Sequence, residues 1–260
     1  MLKSTTPLAI RESSSGQRYA IYFAPPPESA LYRFGSAWLG RNAVTGAELP
    51  PPPLNGLTEK LWRRVTAGPS LYGFHAPLKP PFHLSRDRTK DDLVASVDCF
   101  AKTVGPFDAP PLRLARLSSV IALVPHEESP ALVAFAEACV REFEPFRAPL
   151  APEDFTKRQA AQLTPRQLEL LTTWGYPYVL DEWLFHMTLA SGVDGTDADR
   201  LCAILAPLVQ SHTKSPLRID SVSIFEQPAP QVPFRVIARF PFANRRQRTV
   251  LPLCPLCPLC

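Results

Sequence analysis

The feature that most restricts the fold of this chain is a short motif that occurs twice. Around His186, apolar and polar residues alternate in the order Phe-His-Met-Thr-Leu. This alternation predicts a strand with one face in a core, and it places His186 and Thr188 together on the opposite face. A related order, Phe-His-Ala-Pro-Leu, surrounds His75. The chain should therefore contain two histidine-bearing strands in similar settings.

The elements predicted after the two histidines follow the same order: helix, strand, strand. A leading strand precedes the first set, and a further helix links the two halves. In chain order the predicted elements are a strand at 18–23, helices at 29–39 and 58–67, the first histidine strand at 72–84, a helix at 90–104, strands at 112–117 and 119–124, a linking helix at 129–143, a helix at 154–174 that restarts at Thr164-Pro165, the second histidine strand, a helix at 196–209, and strands at 217–225 and 234–242. A duplicated α+β unit is the simplest explanation, and a chance likeness of two ordinary α+β segments is the alternative.

This order also predicts the domain organisation. Residues 1–17 are polar and serine-rich, which predicts a flexible terminus. Residues 18–242 should form a single two-lobed domain, with lobes at roughly 18–144 and 145–242 and with exchange of strands between them left open. Residues 243–260 contain three repeats of Pro-Leu-Cys, and we interpret them as a low-complexity tail.

Composition limits the classes of partner. The net charge of +4 is too small to indicate nucleic-acid binding by bulk charge, although a local basic pocket is compatible with it. No apolar run approaches the 18 residues of a membrane span, so no membrane association is expected. Three widely spaced cysteines in apolar, helix-like contexts favour buried thiols and a cytoplasmic location. The oligomeric state is left undetermined.

Two histidines facing one cleft would suit chemistry at phosphorus. If the lobes pack about a pseudo-twofold axis, His75 and His186 become neighbours. A neutral imidazole can then accept a proton from an attacking hydroxyl, while a protonated one donates a proton to the leaving oxygen. The hydroxyl of Thr188 can hold a phosphate oxygen. This chemistry requires no metal and no cofactor, and we predict none.

These motifs resemble the duplicated His-x-Thr/Ser-x motif of the two-histidine (2H) phosphoesterase superfamily. The longer sequence around them, at residues 72–82, 174–178 and 185–189, is similar to the DUF1045-like branch found beside phosphonate-degradation genes. Residues 18–25 and 34–40 also resemble that branch, so the likeness covers roughly residues 18–242. It implies an α+β, bilobal, duplicated 2H phosphoesterase fold, with two antiparallel-sheet lobes, outer helices and a central cleft.

One position departs from the superfamily pattern. Pro77 stands where that pattern has Thr or Ser two residues after the first histidine, and proline supplies neither a hydroxyl nor an amide donor. Reduced activity, a hydroxyl from elsewhere, or a site that only binds would each be compatible. Lys79 would share the face of His75 if the strand continues, and it could supply positive charge. Tyr72 and Tyr178 are candidate walls of the substrate pocket.

The expected function is that of a metal-independent hydrolase acting on a cyclic phosphate or small phosphodiester, with a small-molecule phosphate ester as its partner. The gene context of the branch implies phosphonate breakdown. An RNA 2′,3′-cyclic phosphodiesterase is one alternative, in which nucleic acid would bind only as a short cyclic-phosphate end. A protein that binds a phosphate ligand with reduced catalysis is the other, and Pro77 is the main reason to consider it.

Overall fold

A computed structural model describes residues 16–54, 56–159 and 162–243 of the chain. Most of the predicted flexible terminus and nearly all of the predicted tail lie outside the described residues. Within the described residues the strands are β1 (Arg18–Phe23), β2 (Ala76–Phe82), β3 (Phe107–Ala109), β4 (Leu112–Leu117), β5 (Val120–Pro125), β6 (Met187–Ser191), β7 (Leu217–Ile219), β8 (Ser221–Gln227) and β9 (Arg235–Pro241). The α-helices are α1 (Ala30–Trp38), α2 (Glu59–Tyr72), α3 (Lys90–Thr103), α4 (Pro130–Glu142), α5 (Pro152–Gln159), α6 (Pro165–Trp174) and α7 (Gly195–Gln210).

The strands form two larger antiparallel sheets and one small one. The four-stranded sheet has the order β2-β1-β8-β9, and the three-stranded sheet has the order β4-β5-β6. Each larger sheet therefore takes strands from both halves of the chain. Because β3 pairs with β7, the small sheet joins the halves as well.

The repeated order of elements is present and is fuller than the sequence analysis indicated. The first half runs β2-α3-β3-β4-β5, and the second half runs β6-α7-β7-β8-β9. Helix α3 packs on β8 and β9, while α7 packs on β4, so each helix covers one sheet. The predicted α+β class, with two antiparallel sheets and outer helices, is confirmed.

The first histidine strand is shorter than predicted. Helix α2 continues to Tyr72, where a strand was expected to begin, and it ends at Gly73, whose φ of 81° few other residues adopt. Strand β2 begins only at Ala76. Pro77 lies on an edge strand, where its missing amide donor is tolerated, because β2 has a neighbour on one side only.

Alternation along β6 fixes which face carries the site. Met187 and Leu189 are fully buried, whereas Thr188 between them is half-buried. The indole of Trp38 donates a 2.9 Å hydrogen bond to the carbonyl of Leu189 and so holds β6 against the core. Helix α2 packs against β6. Among the described residues, no helix is long and apolar enough to cross a membrane.

Candidate active site

The two histidine motifs lie at adjoining edges of the two larger sheets. Strands β2 and β6 are edge strands of different sheets, and they contact each other. The indole Nε1 of Trp183 donates a 2.9 Å hydrogen bond to the carbonyl oxygen of Pro77, which ties one motif to the other. His75 and His186 each stand directly before the first residue of their strand. The fold thus brings together two motifs that are far apart in the sequence.

Both histidines make the same hydrogen bond to the backbone. Nδ1 of His75 lies 2.8 Å from the carbonyl oxygen of Gly73, and Nδ1 of His186 lies 2.8 Å from the carbonyl oxygen of Leu184. A carbonyl oxygen can only accept, so Nδ1 carries the hydrogen in each ring. Nε2 of each neutral imidazole then has a free lone pair, which is the state of a general base.

The two imidazoles differ in their surroundings. The ring of His75 stacks on Tyr22 with centroids 3.8 Å apart. Burial, helped by the nearby charges of His186 and Arg41, lowers the pKa of His75 to about 3 against the opposing effect of its bond to Gly73. Burial also lowers the pKa of His186.

Only one of the two motifs has a hydroxyl two residues after its histidine. Thr188 pairs with Ala122 of β5, and its hydroxyl makes no hydrogen bond within the described part of the chain. It is therefore free to donate to a ligand. Pro77 occupies the corresponding position after His75, and its carbonyl already accepts from Trp183.

Lys79 does not lie on the face predicted for it. Pro77 pairs with Tyr22, but Lys79 pairs with Ile21, the next residue of β1. Because neighbouring residues of a strand point to opposite faces, this register shift turns Lys79 away from the face of Pro77. Its side chain is 2% exposed, and Nζ bonds to the carboxylate of Glu144 at 2.8 Å and to the carbonyl of Val140 at 3.0 Å. Strand β2 continues past Lys79, but the bulge turns this side chain away from the face expected for it.

The aromatic residues around His75 are only partly those that the sequence indicated. Tyr72 lies near it, with ring centroids 6.3 Å apart. Tyr178 is 45% exposed and packs edge-on against Tyr176 at 5.7 Å. The aromatic residue in closest contact is Tyr22, which the sequence analysis treated only as part of a buried strand. No local pattern indicated this contact, because β1 is a nearly continuous apolar run and the contact depends on the pairing of β1 with β2.

Among the described residues, the hydrogen-bond partners of the two histidine rings are backbone carbonyls and not carboxylates. Asp181 forms an ion pair with Arg166, and Glu182 accepts from Gln167. Both therefore serve the loop and helix α6. No group of three or more histidine, cysteine or acidic side chains among the described residues is placed to hold a metal ion.

The fold and the site together define an α+β protein with a pair of backbone-anchored histidines at adjoining sheet edges. The sequence profile of a family described as "Protein of unknown function (DUF1045)" matches residues 77–235. The chain belongs to this family, which confirms the predicted DUF1045-like branch. The match contains the second histidine motif complete and begins just after His75.

Two relatives in bacteria are similar over most of the chain. One, from Janthinobacterium sp. (strain Marseille), is named "Ribose 1,5-bisphosphate phosphokinase PhnN" and is 32% identical over 250 residues, which are 95% of this chain and 55% of the relative. The other, from Laribacter hongkongensis (strain HLHK9), has the same name and is 31% identical over 219 residues, which are 84% of this chain and 50% of the relative. The chain thus spans about half the length of these relatives.

Solved structures are similar only distantly. E. coli LigT complexed with 3′-AMP matches with a TM-score of 0.43 and 11% identity, over 88% of this chain and 100% of that one. A structure described as a phosphoesterase matches with a TM-score of 0.40 and 10% identity, over 88% of this chain and 100% of that one.

Proposed function

We propose that the protein is a phosphoesterase that hydrolyses a cyclic phosphate or small phosphodiester, with His75 and His186 as its catalytic pair. The observation that supports this most strongly is the matched hydrogen bond from each Nδ1 to the carbonyl two residues before it. It gives both rings the same tautomer and leaves both Nε2 atoms available. Two such rings at adjoining sheet edges suit one phosphorus between an attacking and a leaving oxygen.

The proposed reaction needs one proton acceptor and one proton donor. Nε2 of the base takes a proton from water as the water oxygen forms a bond to phosphorus. The ester P–O bond breaks, and the protonated imidazole gives its proton to the leaving oxygen. Thr188 donates to a phosphate oxygen, where a preorganised donor stabilises the charge that develops in the transition state.

We propose that His75 is the base and His186 the acid. His75 has the more strongly lowered pKa, so it is neutral over the whole physiological range. His186 also has a lowered pKa in the empty site, but an anionic phosphate beside it favours the imidazolium and raises that pKa. Binding of the substrate would thus supply the acid that the free protein lacks.

We also propose a role in phosphonate breakdown, which the names of the two relatives support. The proposed substrate is then a cyclic phosphate of a sugar. We assign Lys79 a positioning role and not a substrate contact, because its ammonium is paired with the carboxylate of Glu144. Tyr72, beside His75, is the better candidate for a wall of the substrate pocket, and Tyr178 is proposed only for its rim.

A panel of cyclic phosphates, assayed with and without EDTA, tests the proposal. We expect turnover that the chelator leaves unchanged, and we expect His186→Ala to lower it by roughly 10²- to 10⁴-fold with little change in thermal stability. Turnover that EDTA abolishes would contradict the metal-independent mechanism. Binding without turnover would favour the ligand-binding alternative, for which the missing hydroxyl at Pro77 is the specific observation.

A further inference from the structure

A basic cavity lies at the end of the four-stranded sheet where β1 begins and β2 ends. A cavity of about 310 Å³ opens between the ends of β1 and β2, helix α5 and the end of helix α6. Asp154 is the one carboxylate among its lining residues. The cationic or titratable basic residues that line it are Arg18, Lys79, His83, Arg147, Lys157 and Arg158.

Two of these cations are already neutralised in part. Lys79 and Arg147 share the carboxylate of Glu144, at 2.8 Å and 2.5 Å. Arg147 also donates to the carbonyls of Ala148 and Thr173, which fixes its guanidinium in the wall. Gly175 allows this close approach, because a Cβ there would lie 2.9 Å from Nη1 of Arg147. This pair and its carboxylate form a rigid wall with an excess of positive charge.

Arg18 is held by a neutral partner. Its Nε and Nη2 donate to the side-chain oxygen of Gln227 at 2.8 Å and 2.5 Å. Gln227 is fully buried, and its own amide donates to the carbonyl of Val232, so its oxygen is aimed at Arg18. The guanidinium is thereby oriented without losing its charge, and its Nη1 makes no hydrogen bond to any described residue. An oriented, unneutralised guanidinium suits a phosphate ligand.

Arg158 completes the cluster. Its Nη1 donates to the carbonyl of Gly175, and its guanidinium lies over the ring of Tyr176, 5.4 Å from the centroid. Burial lowers the pKa of Arg158, Tyr176 and Asp154 oppose this shift, and the charges of Arg18 and Arg147 add to it. All three guanidiniums line the same cavity, so like charges are gathered there. Gathering like charges in a half-buried cavity is unfavourable unless an anion occupies it.

A series of ring contacts leads from Arg18 in the cavity wall to His75. Tyr72 stacks on Phe234 with centroids 5.1 Å apart, and the guanidinium of Arg18 lies 5.6 Å from the centroid of the same Phe234 ring. Arg18 and Tyr22 share a face of β1 four residues apart, which is about 13 Å between Cα atoms. Since Tyr22 stacks on His75, Arg18 and the imidazole are separated by a spacing that a phosphorylated nucleoside can span.

We propose that this cavity binds a second phosphate group of the substrate whose reacting phosphate lies between His75 and His186. The inference rests on the proposed function and narrows its substrate class to phosphodiesters that carry a separate phosphate monoester. Arg18 and Arg158 are the residues that contact this second group, while Arg147, Lys79 and Glu144 form the wall behind it.

Binding of matched nucleotides tests the proposal without requiring turnover. Isothermal titration compares adenosine 2′-monophosphate with adenosine 2′,5′-bisphosphate on the full chain. We expect the bisphosphate to bind about 10- to 100-fold more tightly, as charge-assisted hydrogen bonds to one phosphate allow. Arg18→Gln and Arg158→Gln should each remove most of that ratio. Arg218→Gln, which removes an equal charge from an exposed ion pair on β7, is the matched control and should leave the ratio unchanged.

Turnover of adenosine 2′,3′-cyclic phosphate with and without a 5′-phosphate is measured in parallel. A 5′-phosphate preference in kcat/KM that Arg18→Gln and Arg158→Gln reduce would support both proposals. A binding preference without turnover of either compound would overturn the proposed function and leave the second site standing. Equal affinity for the two nucleotides, or a preference that neither variant reduces, would overturn the second site. Circular dichroism of each variant shows whether a loss reflects unfolding, and two separate arginines keep the test valid if one variant fails to fold.

Discussion

Each histidine of the pair is oriented by a carbonyl oxygen two residues before it. This arrangement uses no carboxylate, so it leaves the imidazoles without a negative charge that would favour their protonated forms. Burial then lowers the pKa of both rings. The empty site is consequently a pair of neutral imidazoles, and we expect the phosphate itself to bring the charge that the reaction requires.

The low pKa of His75 predicts how stability depends on pH. The pKa of His75 is about 6.5 in the unfolded state and about 3 in the folded state. Below pH 6.5 the unfolded state therefore binds more protons, and the free energy of unfolding decreases as the pH is lowered. His75→Asn keeps a donor for the Gly73 carbonyl but cannot titrate. The free energy of unfolding of the wild type, minus that of His75→Asn, should therefore shrink by at most about 1.4 kcal/mol per pH unit between pH 6.5 and 4. Urea unfolding across this range measures it, and a constant difference would contradict a buried neutral His75.

Two glycines separate backbone strain from crowding. Gly175 and Gly192 have φ values of +72° and +66°, but only at Gly175 would a Cβ meet another group, Nη1 of Arg147. Gly192→Ala should lower the free energy of unfolding by about 1 kcal/mol through its left-handed backbone alone. Gly175→Ala should lower it by about 2 kcal/mol or more, because the hydrogen bonds of Arg147 must also change. Urea unfolding of both variants gives the comparison, and equal losses would mean that Arg147 is not held in the wall.

At the level of elements, the periodicity of apolar residues and the positions of capping residues and prolines were sufficient to predict most of the helices and strands. The period-two pattern located β6 and its polar face, and the missing amide donor of Pro77 fits the edge position of β2. The register shift in β2 could not be predicted, because it arises from the pairing of β1 with β2. It moved Lys79 from the expected site face into an ion pair. Likewise, the Arg18 and Arg158 cluster joins residues from β1 and α5 that no local pattern connects.

Pro77 tests whether β2 lacks a catalytic hydroxyl. Pro77→Thr should raise kcat/KM on a cyclic phosphate by up to roughly 10²-fold, because it adds a donor where Thr188 has one on β6. Threonine suits an edge strand, and the carbonyl that accepts from Trp183 is retained. Pro77→Ser should act in the same direction, whereas Pro77→Ala removes the ring without adding a hydroxyl and should not. A lower rate for all three would mean that the strand requires proline.

At the level of the whole molecule, neither half of the chain can complete its own sheets. Strands β1 and β2 pair into a sheet with β8 and β9, and β4 and β5 pair with β6. The proposed lobe limits near residue 144 therefore do not coincide with the sheets. Element order repeats in the sequence, but which half supplies each partner is decided by tertiary packing, so this exchange was left open.

The shared sheets predict one cooperative unfolding transition. Loss of either half would leave unpaired strand edges in both large sheets, so no half should persist as a folded intermediate. Far-UV circular dichroism and tryptophan fluorescence should give coincident urea curves. Two separated transitions would indicate that the halves are stable without exchange.

The proposed chemistry requires that His75 and His186 act together on one phosphate. The most direct measurement is kcat/KM for a cyclic phosphate with the wild type, His75→Asn, His186→Asn and the double variant. Each single substitution should lower kcat/KM by roughly 10²- to 10⁴-fold. The double variant should be little less active than the less active single variant, because the pair acts as a unit. Losses that multiply, or a single variant with wild-type activity, would contradict the account.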